Sequence, residues 1–189
     1  MKMPPMLLIV GPSGAGKTTI SGFLNLRNGW SSIESYTTRA PRYDGEEGHT
    51  FITNDEFDRL TDLVAYTEFN GHRYGCTAQQ VDDNQIYVVD VPGVETLLQN
   101  YKGNKEFLAI YLDVSQTECR SRMAQRGDIS EKIEARLNND AEMFMSAPER
   151  LTALLGGDNV LVIGEMSSTD VVLTIENYLY TKGYEWETI

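Results

Sequence analysis

Cysteine, histidine and tryptophan are scarce in this chain of 189 residues, with two of each. Cys76 and Cys119 are too few and too far apart for a disulfide framework or a zinc pattern, so both read as structural thiols of a reducing compartment. Long apolar runs are missing too. The longest wholly apolar run near the N-terminus, Met6 to Val10, is far short of a membrane span or a signal-peptide core. A cytoplasmic protein with no membrane association is therefore expected. Positive charge is in deficit: 16 Lys and Arg stand against 28 Asp and Glu, a net charge of −12, which argues against non-specific binding to nucleic acid. Any phosphate must be held by a local cluster. Ten of the 16 bases are Arg, whose planar fork suits bidentate phosphate contacts. No repeat, low-complexity tract or linker is visible. The length and the 41% hydrophobic content fit one globular domain and exclude disordered, collagen-like and disulfide-scaffold classes.

What is present is an alternation of apolar runs and helical periods. Met6 to Val10, stopped by Gly11, reads as a strand buried on both faces of a parallel sheet. Lys17 to Leu26 reads as the helix after it. Further runs at Ile86 to Val91, Phe107 to Val114 and Val160 to Ile163 are each followed by a helical period, giving an α/β fold with helices flanking a parallel sheet. Thr53 to Glu56 and Ser115 to Glu118 have the form of capping boxes. Between Ser31 and Gln85 the alternation breaks into short strands (Ser32 to Thr37, Ala65 to Phe69, Arg73 to Gly75) and short helices. An inserted subdomain is therefore expected at about 34–85, leaving a core of 1–33 and 86–189.

Gly11-Pro-Ser13-Gly14-Ala15-Gly16-Lys17-Thr18 matches the phosphate-loop pattern G-x-x-x-x-G-K-S/T in the strand-to-helix context it requires. Its glycines let backbone N–H groups form an anion nest at the positive end of the next helix, which continues through Thr19. Lys17 reaches the β- and γ-phosphates, and the Thr18 hydroxyl is the candidate ligand for Mg²⁺. Asp90-Val-Pro-Gly93 has the D-x-x-G form, but Asn104-Lys105 lacks the Asp of a guanine-reading N-K-x-D motif, because Phe107 stands there. That disfavours a regulatory GTPase. Asp90 is either an acid holding Mg²⁺ through water or the cap of the next helix.

Ser35-Tyr-Thr-Thr-Arg39-Ala-Pro41-Arg42 puts two arginines three residues apart around a stiffening proline. With Gly11 to Thr18, Gly45-Glu46-Glu47-Gly48, Phe69-Asn-Gly71, Tyr74-Gly75, Arg122-Met-Ala-Gln-Arg126-Gly127 and Ile133-Glu-Ala-Arg136-Leu137, in this order, the chain resembles guanylate kinase. The likeness runs to about residue 140. It implies a P-loop core, an inserted nucleoside-monophosphate-binding subdomain, a helical lid at about 120–140, and transfer of the ATP γ-phosphoryl to GMP or dGMP. It implies that Ser35 bonds the base, that Arg39, Arg42 and Tyr74 hold the acceptor phosphate, and that Arg122, Arg126 and Arg136 act over the migrating phosphoryl. Local composition agrees with a lid: residues 120–136 carry five bases against three acids.

The departures bear on the base. The family's guanine-reading Glu aligns with Ala65, and its Ser/Thr after Tyr-Gly aligns with Cys76 on the acceptor side. Glu68, at an odd offset from Ala65, faces the other way on a strand. His49 takes the nearest place to the family's phosphate-touching tyrosine, and Gly164 replaces an Asn after the last core strand. The chain is thus expected to be an ATP·Mg²⁺-dependent nucleoside-monophosphate kinase of guanylate-kinase type. The alternatives are a kinase for another or several (d)NMPs and a non-catalytic protein-binding module. An intact Lys17 and Thr18 speak against the module.

Overall fold

Strand β1 (Met6–Val10) is buried along its whole length, and the reason is its position inside a four-stranded parallel sheet. Alternate residues go to opposite faces: Leu7 and Ile9 join one apolar cluster, and Met6, Leu8 and Val10 join the other. A strand covered on both sides needs apolar residues at every position rather than every second one. The computed structural model describes residues 4–69 and 71–185. Asn70, in the Phe69-Asn-Gly71 segment, lies outside them.

Helix α1 (Lys17–Asn28) follows β1 and runs two residues beyond the expected end, to an αL cap at Gly29. The chain then leaves the first sheet and builds a second, four-stranded one, from β2 (Ser35–Thr37), β3 (His49–Phe51), β4 (Leu63–Phe69) and β5 (His72–Thr77), in the order β3-β2-β5-β4. β2 and β3 are parallel, whereas β5 is antiparallel to both β2 and β4. The strand expected from Ser32 starts at Ser35, because Ser32 instead bridges to Ile86 in the first sheet. Helix α2 (Asn54–Phe57) opens on the expected capping box, with Thr53 and Glu56 bonding each other's backbone. Thr77 and Gln80 make a second such box at α3 (Ala78–Asp83).

The chain re-enters the first sheet at β6 (Ile86–Val88), which pairs with β1. The strand expected through Val91 stops three residues earlier. Asp90 caps helix α4 (Val91–Asn100), whose first turn holds Pro92, a residue suited to that position by its fixed φ and missing N–H. β7 (Phe107–Leu112) and β8 (Val160–Ile163) complete the order β6-β1-β7-β8. Between them lie α5 (Gln116–Gln125), α6 (Ser130–Met143) and α7 (Ala147–Leu155), and α8 (Ser168–Thr181) follows. The expected capping box at α5 is only half made. Ser115 accepts from Glu118 N, but Glu118 turns to Arg122, and Ser115 N donates to Glu165 instead.

Residues of α1, α5, α6 and α8 fill one face of the first sheet, and residues of α4 and α7 fill the other. Val64, Ala65, Cys76 and Val81 join this second cluster, so the second sheet shares its core with the first. The two sheets are also pinned through Thr96, whose hydroxyl accepts from Tyr66 N at 3.0 Å and donates to Tyr66 O at 3.1 Å. Each fully buried Leu or Ile side chain contributes about 2 kcal/mol here. Among the described residues no helix is long and apolar enough to cross a membrane.

Candidate active site

The loop from Gly11 to Gly16 wraps the turn between β1 and α1, and two of its glycines are dictated by geometry. Gly14 has φ +84, and a Cβ there would lie 2.7 Å from the Cys119 carbonyl oxygen of α5. Gly16 has φ +100 and caps α1, which has no side-chain cap and no acid in its first turn. The first turn of α1 thus carries no negative side chain of its own and can receive an anion. Thr18 and Thr19 lie exposed in that first turn.

Lys17 points back along the loop, donating to Gly11 O at 2.7 Å and Pro12 O at 2.9 Å. Burial lowers its pKa to about 8, against the pull of Asp140 and Asp90. Asp140 comes from α6 and accepts the Ser13 N–H at 2.7 Å. Asp90 caps α4, its Oδ1 accepting Gly93 N at 2.7 Å. Burial raises its pKa, and hydrogen bonds from Gly93 N–H and the Thr67 hydroxyl oppose the rise.

A cleft enclosing about 850 Å³, open mouth included, runs from the loop to the second sheet. It brings together Gly11, Ser13, Lys17 and Asp90 from the first sheet, Ser35, Arg42 and Tyr74 from the second, and Arg136 from α6. Arg39 lies outside the lining: its guanidinium grips Glu46 bidentately, at 2.9 and 3.1 Å, and stacks over Phe51. Glu46 also accepts Arg42 N at 2.6 Å and Arg42 Nη1 at 3.0 Å. Partial burial opposes ionisation of Glu46, yet these bonds from Arg39 and Arg42 hold its pKa at about 2. One buried carboxylate therefore sets both arginines of the T-T-R-x-P-R segment.

Not every expected residue reaches the cleft. Cys76 is fully buried, its thiol against the Tyr87 hydroxyl, and burial pushes its pKa to about 12. The residue facing the cleft at that point is Tyr87, so the expected acceptor contact of Cys76 is corrected to a support for Tyr87. Ala65 is likewise fully buried in the shared core, and Thr67, two residues on, lines the cleft instead. Glu68 is exposed, holding the Tyr66 hydroxyl, and pairs across the strands with Arg73. Arg122 leans on the loop from the opposite side, donating to Ala15 O at 3.1 Å while paired with Glu118 at 2.7 Å. It lines a second cleft, enclosing about 710 Å³ with its open mouth included, together with Ala15, Gly16, Thr19, Gly164 and Ser167. Arg126 and Arg136 share Asp128, with Arg136 Nη1 at 3.0 Å.

Sequence reasoning missed Asp140, although it lies four residues after Arg136 on the same helix face, a spacing that could have found it. It also left His49 without a role. His49 Nδ1 is 2.9 Å from Ser35 Oγ, and its ring sits edge-on to Tyr74 at the cleft wall. Burial, then the charge of Arg39, lower its pKa to about 4, so the ring is neutral near pH 7.

A family model described as AAA domain matches residues 7–145. The guanylate kinase of Polaromonas sp. is 31% identical over 159 residues, 76% of this chain and 75% of that protein. The guanylate kinase of Anaplasma phagocytophilum is 33% identical over 154 residues, 72% and 71% of the two chains. That of Fusobacterium nucleatum is 29% identical across 94% of this chain and 98% of its own. The crystal structure of guanylate kinase from Anaplasma phagocytophilum superposes with a TM-score of 0.66 at 20% identity, covering 96% of this chain and 87% of that one.

Proposed function

Since this chain belongs to the guanylate kinase family, we propose that it transfers the γ-phosphoryl group of ATP to a nucleoside monophosphate, GMP or dGMP. One observation carries the reading: a single cleft joins a phosphate loop and its lysine to Arg42, from the loop between β2 and β3, and to Arg136 of α6. In this reading the second sheet is the acceptor-binding subdomain and α5–α6 the lid. The setting is the cytoplasm, where the buried thiols of Cys76 and Cys119 stay reduced.

Donor phosphates lie along the loop N–H groups and the start of α1, and Lys17 exchanges its two carbonyl partners for phosphate oxygens. The donor base enters the second cleft beside Thr19 and Gly164. Arg39 and Arg42, set by Glu46, hold the acceptor phosphate with Tyr74, and Ser35 with His49 faces the base. Arg122, Arg126 and Arg136 neutralise charge on the migrating group. No general base is needed, because the attacking phosphate oxygen is already anionic; positioning and charge supply the rate. Mg²⁺ suits the donor set. Among the described residues no group of three or more His, Cys, Asp or Glu could hold a metal, and Thr18 offers one hard oxygen. That is the mode of an ion held mainly by substrate phosphates and water, with Thr18 as the protein ligand. When bound, it would neutralise the ATP phosphates.

A second reading, a kinase with weaker base selection, is favoured by the wall of the acceptor cleft. Ser35, His49, Thr67, Phe69 and Tyr87 line it, and its two carboxylates, Asp90 and Asp140, are bonded to Gly93 N and Ser13 N rather than presented to the N1–H and N2 edge of guanine. A coupled assay of ADP release across AMP, GMP, CMP, UMP, dTMP and their deoxy forms tests both. Turnover with GMP and dGMP supports the first reading, comparable turnover with several supports the second, and none with any rejects both.

A further inference from the structure

Helix α6 sends Arg136, Asp140 one turn later and Met143 at its end to the cleft; the first two carry charge. Asp140 is 5% exposed. A buried carboxylate is costly unless charge-assisted bonds offset the lost hydration. Its hydrogen-bond partner is the Ser13 N–H, at 2.7 Å, and its charge acts on the nearby Lys17 ammonium, favouring the protonated form. The contact joins residues 127 apart in sequence. It fastens the middle of α6 to the phosphate loop. A carboxylate oxygen on a backbone N–H of this loop has the chemistry of a phosphate oxygen there: an anionic acceptor of a charge-assisted bond. Two anions do not share such a seat. A polyphosphate entering along the loop meets a like charge on the N–H it needs.

Resting on the reading of this loop as the donor site, we propose that Asp140 is a positioning residue: it docks α6 on the loop, and the donor's terminal phosphate displaces it. Donor binding and release of α6 are then one event, and Arg136, on the same helix, is repositioned by it. Arg136 is already held through a single nitrogen to Asp128, at 3.0 Å, so its geometry follows the helix. Linkage makes the coupling reciprocal: removing the Asp140 carboxylate must tighten donor binding by the factor that donor binding loosens α6.

Calorimetric titration of wild type, Asp140→Asn and Asp140→Ala with ATP and with inorganic pyrophosphate, without acceptor, reads this directly. Both variants should bind both ligands about tenfold more tightly, in the usual range of such couplings. A merely structural role would lower the melting temperature and weaken binding or leave it unchanged. Unchanged or weaker binding in the variants overturns the proposal. If neither wild type nor the variants bind ATP, the donor-site reading fails, and the proposal with it. Should the variants not fold, spin labels at the exposed positions Asn138→Cys on α6 and Leu26→Cys on α1, with Asp140 intact, decide. ATP should shift the inter-label distance distribution, and an unchanged distribution at saturating ATP overturns the proposal.

Discussion

Lys17 is half-buried and bonded to two carbonyls of its own loop, and desolvation lowers its pKa to about 8. Lys17→Ala should lower phosphoryl transfer by at least about a thousandfold, since a preorganised charge on the migrating group is worth several kcal/mol. Its melting curve should stay close to wild type, and a rate within tenfold of wild type would remove the loop from the mechanism. Arg42, in the cleft and set by Glu46, answers to the other substrate. Arg42→Ala should raise the acceptor KM and lower kcat while ATP affinity holds, as initial rates with each substrate varied will report. Gly11 to Thr18 was legible in the sequence because the loop is a backbone requirement, and backbone requirements leave glycines at fixed spacing. Cys76 was misjudged because alignment gives position along a strand but not depth. Whether Ala65 and Cys76 face substrate or core is decided by α4 and β6 packing behind them. Nothing in residues 63–77 announces that.

Among the elements, α5 packs against the loop, with Gly14 at the contact. Gly14→Ala would drive a Cβ to 2.7 Å from the Cys119 carbonyl and force an L-residue to φ +84. The element must move, so thermal stability should fall by more than about 1 kcal/mol and ATP affinity with it. Melting curves and ATP titration should show both losses, and normal affinity would mean that α5 does not fix the loop. Boundaries were legible where a side chain bonds the backbone, as Thr53 does at α2. They were not where tertiary partners competed. Glu118 fits a capping box by sequence, yet Arg122 one turn on claims its carboxylate and Glu165, distant in sequence, takes the Ser115 N–H. The second sheet was legible as a break in the α/β rhythm but not as a topology, because strands of three residues such as β2 and β3 carry no periodic signal.

For the molecule as a whole, the buried titratable groups set how stability and activity follow pH. Below neutrality, His49 is neutral in the fold down to about pH 4, whereas in the unfolded chain it gains a proton near 6.5. Stability therefore falls as pH drops through that window. Glu46, ionised in the fold down to about pH 2, extends the loss from about 4.5 downward. On the alkaline side the two properties part. Between about 8 and 10.5 the unfolded chain holds the Lys17 proton and the folded chain does not, so the contribution of Lys17 to stability rises there. Catalysis needs the ammonium. The kcat/KM for ATP should fall above about pH 8 while the Lys17 contribution improves the fold. Melting and kinetic profiles of wild type and Lys17→Met over one pH range would separate the two, and parallel profiles would contradict the assignment.

The first sheet also dictates an order of assembly. β1 finds its partners about eighty residues later in β6 and about one hundred later in β7. On a ribosome adding some 5–20 residues per second, its five apolar residues wait several seconds with no strand to pair with. The strands of the second sheet lie within residues 35–77 and can meet while β1 still waits. Nascent chains of this protein should thus be most vulnerable to association through Met6–Val10 until the residues of β7 have left the exit tunnel. A substitution that slows closure of β1 against β7 would lower the yield of soluble protein well before it altered the rate of a molecule already folded.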